Sequence, residues 1–247
     1  MNNVNAYVSP PLTEAIIEII FDGELKPKDF EKITKKLKKD YPNLQQIDTV
    51  GISLQPNLHG NNLTISQQST GKKLTTNDET DILILSRQKL AIARLAPYLG
   101  WDHLFAKVVA SWKVWKSVCR SQPIIRVGVR YINRIDIPID SQGQIKNEDY
   151  LNIYPHLPES IDKPMLNYLN QVTLPTSNEH WNTTVTSTNM PSPRINSMSL
   201  LLDIDVFRIK DIPIKEEDFL ASLSDARDIK NDLFEQCITS KARELFN

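Results

Sequence analysis

Apolar and polar positions alternate with a period of two from Leu12 to Asp22, the stretch LTEAIIEIIFD, with Thr13, Ala15, Ile17, Ile19 and Phe21 on one side. Leu12, Glu14, Ile16, Glu18, Ile20 and Asp22 take the other side. That period marks a strand with one buried face, and this strand carries an acidic stripe. The period then changes. Pro27 opens a predicted helix in which Phe30, Ile33 and Leu37 recur at helical spacing, and Pro42 stops it. Its lysines, Lys28, Lys32, Lys35, Lys36, Lys38 and Lys39, fall mostly on the remaining surface and are diluted by Glu24, Asp29, Glu31 and Asp40, which reads as a solvated face.

From Ile47 to Leu95 the pattern is strand-like again: VGISLQP, NLTISQQS, DILILSRQ and KLAIARL, separated by the turn signals NLHGNN and TTNDET, predict an antiparallel meander. WDHLFAKVVASWKVWKSVC then predicts a long helix with an apolar stripe of Leu104, Phe105, Val108, Val109, Trp112, Trp115 and Cys119. Trp101, Trp112 and Trp115 are able to stack on bases, but their helical spacing among aliphatic neighbours favours core packing.

The stretch IIRVGVRYINRIDIPID, residues 124–140, predicts a strand with Arg126, Arg130 and Arg134 on one face, together with Gly128 and Ile132. Val127, Val129, Tyr131, Asn133, Ile135 and Ile137 take the core face, where Asn133 needs a hydrogen-bond partner. Next come a polar turn (DSQGQ), a short helix near Glu148 to Ile153, the proline-punctuated connection YPHLPESIDKP, and three strands in LNYLNQVTL, HWNTTVTSTNM and NSMSLLLDIDVFRI. The tail predicts helices over EEDFLASL and DARDIKNDLFEQCI, and a last turn capped by Thr239. Strand runs with a few long helices and no regular βα alternation predict an α+β fold of mostly antiparallel sheet with helices on one face. A coarse echo between the two parts of the chain raises the idea of two similar α+β halves. Residues 1–247 read as one integrated unit, and any subdivision falls near 140–147.

Charge narrows the function classes. A formal net charge of -1 leaves no whole-protein basic field to hold nucleic acid without specificity. Any anion site is therefore local. Glu14 and Glu18 break the N-terminal apolar run, so no signal peptide is read, and no segment reaches the ~20 apolar residues of a membrane span. Cys119 and Cys237 fit no metal or disulfide spacing. Together these predict a cytoplasmic protein without a membrane partner.

Catalytic motifs are absent. There is no GxSxG elbow, P-loop, GxGxxG or HExxH, and His59, His103, His156 and His180 lie at spacings that match no metal motif. Three charged strand stripes remain: Glu14 with Glu18, Arg126 with Arg130 and Arg134, and Asp203 with Asp205. Same-face strand neighbours lie ~6.5 to 7 Å apart, which suits two arrangements. In one, the arginines pair with carboxylates across neighbouring strands as a charge ladder. In the other they clamp phosphates while Glu14, Glu18, Asp203 and Asp205 hold Mg²⁺ inside a curled sheet, as in triphosphate tunnel enzymes. The first strand departs from that family, reading E-A-I-I-E without the following lysine. The DID of Asp203 and Asp205 likewise lacks the preceding Gly-Ser turn and helix of nucleotidyltransferases.

PPLTEAIIEIIF (Pro10 to Phe21), VRYINRIDIP (Val129 to Pro138) and the tail DLFEQCITSKARELF (Asp232 to Phe246) resemble a sporadically distributed, uncharacterised family of bacterial proteins of about this length. The motifs span the chain, and the resemblance brings no catalytic residues with it. What it implies is a mobile accessory role, as in defence or toxin-antitoxin-like systems. The expectation is a non-enzymatic binding protein that needs no cofactor and recognises a protein or nucleic-acid partner, with self-association as a further option. The alternative is a metal-dependent nucleotide or triphosphate-binding enzyme.

Overall fold

The structure, a computed structural model, describes residues 7–57, 60–119, 122–139, 145–158, 160–161 and 165–247, with backbone alone at 49–57 and 60–69. Its elements in chain order are β1 (Leu12–Phe21), α1 (Pro27–Leu37), β2 (Asn43–Asn57), β3 (Gly60–Thr75), β4 (Asp81–Ser86), β5 (Lys89–Leu95), α2 (Trp101–Val118) and β6 (Ile124–Pro138). A 3-10 turn (Asn147–Asp149), β7 (Leu169–Pro175), β8 (Asn182–Pro191), β9 (Ser197–Arg208), α3 (Glu216–Cys237) and α4 (Ser240–Glu244) follow. The nine strands form one antiparallel sheet in the order β2-β3-β4-β5-β1-β6-β9-β8-β7, so the fold is α+β. The meander β2 to β5 returns to lie beside β1, and the meander β7 to β9 returns beside β6.

The chain divides into two compact units. One comprises Met1–Ile17, Leu95–Leu99 and Arg126–Asn247, and the other comprises Glu18–Arg94 and Gly100–Ile125. Both β1 and β6 run from one unit into the other.

In the second unit Ile19 and Phe21 of β1 are fully buried with Leu90 and Ile92 of β5 and Leu83 and Leu85 of β4. Each such side chain contributes ~1.5 to 3 kcal/mol by leaving water. Helix α2 covers this face. Trp115 and Trp112 stack on the Phe21 ring at centroid distances of 4.2 and 6.1 Å, so these tryptophans are core and not free platforms for bases. Helix α1 packs on α2 through its buried Ile33 and Leu37, and its lysines lie on the exposed side.

In the first unit the predicted core face of β6 is buried at Val127, Val129, Tyr131, Ile135 and Ile137 against Leu200, Leu202, Ile204 and Val206 of β9. Asn133 is buried with them, and its Nδ2 donates to the Leu202 carbonyl at 3.1 Å. Helix α3 packs on β9. The strand β6 meets the start of β1 here, and the residues just before Pro10 reach the C-terminal tail. The Arg134 amide donates to the Pro11 carbonyl, the Ser9 amide to the Phe246 carbonyl, and the Tyr7 hydroxyl to Glu235 at 2.8 Å.

Several elements differ from the sequence expectation. The tail forms one 22-residue helix, α3, because nothing between Leu220 and Asp225 breaks it and Ser222 folds its hydroxyl back onto the Phe219 carbonyl at 2.7 Å. The helix expected near Glu148 is a single 3-10 turn one residue earlier, closed by the Tyr150 amide on the Asn147 carbonyl. Strands β2 and β3 extend beyond their apolar cores into polar stretches such as Gln45, Gln46, Lys72 and Lys73, which pair as a ladder despite weak alternation. Thr239 does cap α4, accepting from the Ala242 amide at 3.2 Å. The DSQGQ turn, the centre of NLHGNN and parts of YPHLPESIDKP lie outside the described residues.

Candidate functional site

Residues directly opposite one another in an antiparallel sheet share a face, and the register defines the polar face of the first unit. Thr173, Thr184, Asp205 and Arg130 form one row across β7, β8, β9 and β6. Gln171, Thr186, Asp203 and Ile132 form the next. Side-chain hydrogen bonds tie the rows on β7 and β8, Gln171 Nε2 donating to Thr186 Oγ1 and Thr173 sharing a proton with Thr184, both at 2.9 Å. The opposite face of these strands buries Val129, Tyr131, Leu202, Ile204 and Val185.

The arginine stripe lies on this polar face and is matched from within the chain. Arg126 Nη2 donates to Asp205 Oδ2 at 2.6 Å, and its guanidinium lies 4.9 Å from the Phe207 ring centroid. Arg130 grips Asp203 with two nitrogens, Nε at 2.9 Å to Oδ1 and Nη2 at 2.5 Å to Oδ2. Fork geometry of this kind is the strong form of the pair. Arg134 Nε lies 3.2 Å from Asp136 Oδ1 as an ion pair without hydrogen-bond geometry, and Arg194 adds a second cation at 3.5 Å. Ser199 and Ser192 donate to the same Asp136 oxygen at 2.5 and 3.2 Å.

Gly128 has a specific use here. A Cβ on it would stand 2.8 Å from Arg126 Nη1 and 3.1 Å from Asp205 Oδ1, so the bare backbone makes room for the arginine to reach its aspartate.

Protonation follows from these contacts. The Asp203 hydrogen bonds hold the Arg130 guanidinium above its ordinary range, with burial pulling the other way and Asp205 and Glu14 adding to the field that keeps it charged. Burial pushes the Asp205 carboxyl up, and Arg126 and Arg130 only partly offset this.

The four carboxylates considered as metal ligands are each engaged. Asp203 and Asp205 hold arginines. Glu14 lies in the first unit and acts on Arg130, whereas Glu18 lies in the second unit with Lys89 Nζ at 3.0 Å. Among the described residues no group of three or more His, Cys, Asp and Glu side chains is gathered to hold a metal ion. A pocket of about 460 Å³ in the second unit is lined by Glu24, Leu25, Pro27, Phe30, Gln46 and Arg87 among others, and none of the stripe residues lines it.

A second charged constellation, in the second unit, is one that no sequence motif announces. Asp81 opens β4 with its side chain only 6% exposed, and an arginine, a lysine and a histidine ring converge on it. His103 Nε2 lies at 2.9 Å, Arg94 Nη1 at 3.3 Å and Lys107 Nζ at 3.4 Å. Burial works to raise the Asp81 carboxyl, but the His103 hydrogen bond, the Lys107 charge and the Arg94 hydrogen bond together outweigh it and hold it below the usual range. His103 and Lys107 are four residues apart and so share a face of α2, and Arg94 faces Asp81 across the β4–β5 ladder. The i, i+4 spacing is visible in the chain, but no local pattern ties it to an aspartate twenty-two residues earlier. Asp136 also joins the stripe without having been expected there, although it lies two residues from Arg134 on the same strand face.

Neither cysteine is activated. Burial pushes both thiols up to about 11, Asp29 adding to the effect at Cys119, which is opposite to what a thiolate nucleophile needs. No helix among the described residues is long and apolar enough to cross a membrane.

No protein-family model matches the chain, and no curated protein matches it. Among solved structures, a similarity is found to the S. pombe Pct1 RNA triphosphatase in complex with the Spt5 CTD. It covers 96% of this chain and 86% of that chain at 8% identity, with a TM-score of 0.13, too low to indicate a shared fold.

Proposed function

We propose that this chain is a non-enzymatic binding protein of the bacterial cytoplasm that recognises a protein partner through the solvent-facing side of β6, β9, β8 and β7. The observation that carries this reading is the pairing of the stripe: Arg126, Arg130 and Arg134 each have an aspartate at 2.5 to 3.2 Å within the chain. A phosphate clamp presents guanidiniums whose charge is left for the ligand. Here a polyanion would have to displace carboxylates that are already seated, and the net charge of -1 offers no field to favour that exchange. A face of alternating arginine, aspartate, threonine and glutamine instead suits another protein surface, where charges of both signs give specificity. The resemblance of the three motifs to the sporadically distributed bacterial family supports an accessory role, as in defence or toxin-antitoxin-like systems.

The test is partner capture followed by a measured affinity with the purified partner. Thr184→Arg and Thr188→Arg place bulk in the middle of the face and should weaken binding at least tenfold while leaving the thermal melt unchanged. Unaltered binding by both variants, or metal-dependent hydrolysis of a nucleotide or of tripolyphosphate by the purified chain, would overturn the proposal.

A further inference from the structure

The sheet has two outer strands, β2 and β7, and they are built differently. Outer strands present unpaired backbone groups, and proteins usually blunt them with charges, bulges or prolines. β2 has all three: a register break between Ile47 and Asp48, the charge of Asp48 itself, and Pro56. β7 runs seven residues against β8 in unbroken register, contains no charged residue and has a proline only at its last position. It also leaves apolar side chains in solvent, Leu169 at 72% and Leu174 at 51% exposure, with Leu166 just before it at 79%. Among the described residues no strand pairs with its outer edge.

We propose that β7 is a self-association edge, through which a second copy of this chain pairs antiparallel along Leu169–Pro175 about a two-fold axis normal to the sheet. Neutrality is what selects a second copy over a foreign strand. A strand that pairs with itself about a central two-fold axis sets any charge at or beside that axis near the same charge on its mate, so a charge there repels a second copy but can still accept a foreign strand of opposite sign. LNQVTLP meets the stricter condition at every position. An axis at Val172 puts Gln171 opposite Thr173 of the second copy. Because the axis is normal to the sheet, each face stays on its own side. The Arg/Asp/Thr face of one chain then continues into that of the other, and the exposed leucines are brought to the seam.

The experiment is multi-angle light scattering across a concentration series. The expected mass approaches twice the 28.2 kDa of one chain at high concentration and falls toward one chain on dilution. Gln171→Lys/Thr173→Lys and Gln171→Glu/Thr173→Glu chains should each stay monomeric, and an equimolar mixture of the two should regain the dimer mass. Both positions are exposed, and melts matching the unaltered chain verify folding. An unaltered chain that keeps the mass of one chain at every concentration would overturn the proposal. So would a lysine variant that keeps the dimer mass, or a mixture that stays monomeric.

Discussion

The arginine ladder of the first unit and the Asp81 cluster of the second place the same chemical groups in opposite balance. In the ladder, Arg126 and Arg130 each meet one aspartate, and the Arg130 side chain is 46% exposed. In the cluster one buried carboxylate draws two cations and a histidine ring nitrogen. The difference shows in the carboxyls themselves. Asp205 is pushed up by burial that its arginines do not fully offset, whereas Asp81, also raised by burial, is held down on balance by the His103 hydrogen bond, the Lys107 charge and the Arg94 contact. A carboxyl raised in the folded state favours folding below its unfolded value and loses that contribution as pH climbs through the folded value. A lowered one acts in reverse: Asp81 contributes fully above the unfolded carboxylate pKa, and its contribution disappears as pH falls through the folded value. The ladder therefore presents charge to the outside, while the cluster uses charge to anchor a helix.

The largest effect should come from breaking the cluster. Asp81→Ala removes the buried carboxylate that Arg94, Lys107 and His103 converge on, and a loss of ~3 to 5 kcal/mol is expected in urea unfolding. A loss below about 1 kcal/mol would show that the cluster does not anchor the helix.

Lys230 extends the comparison to a buried amine set over an aromatic ring. It is buried on α3 with its Nζ 3.8 Å from the Tyr131 ring centroid, and the Tyr131 hydroxyl is 2.5 Å from that of Tyr98. Burial pulls its amine down to about 7, Arg227 pulls the same way, and Glu235 and Asp228 offset only part. The folded value lies below the unfolded one, so stability should rise with pH from about 7 to about 10.4. Lys230→Met should stabilise the chain at neutral pH by on the order of 3 kcal/mol and flatten that rise, the Tyr131 ring accounting for part of the difference. Urea midpoints at pH 6, 8 and 10 provide the check, and an unchanged pH slope in the variant would refute the assignment.

Within the ladder the effects are smaller. A double-mutant cycle with Arg130→Gln and Asp203→Asn should return a coupling of ~1 kcal/mol, shrinking in high salt because the arginine is half-exposed. Gly128→Ala should cost less, about 0.5 kcal/mol, since the added methyl meets the movable end of Arg126 and not backbone. Its signature is a weakened Arg126 to Asp205 coupling, read by the same kind of cycle.

The same contrast explains which parts of the molecule are legible in the sequence. The ladder is built from period-two stripes, so spacing alone assigns Arg126 and Arg130 to one face of β6 and Asp203 and Asp205 to one face of β9. Glu18 does not follow, because a stripe records a face of a strand and not its neighbour, and Lys89 takes it. Asp81, Arg94, His103 and Lys107 belong to two strands and a helix, and no local period links them. The break expected between EEDFLASL and DARDIKNDLFEQCI does not form, because a long helix accommodates a serine that bonds back to its own backbone.

The arginine face is neutralised by the chain's own aspartates. Thermal unfolding in saturating tripolyphosphate, with and without Mg²⁺, tests it most directly, because a ligand that binds the folded state alone must raise the midpoint. No saturable shift is expected in either condition. A saturable rise that disappears in Arg130→Gln would contradict it and make the stripe a phosphate site.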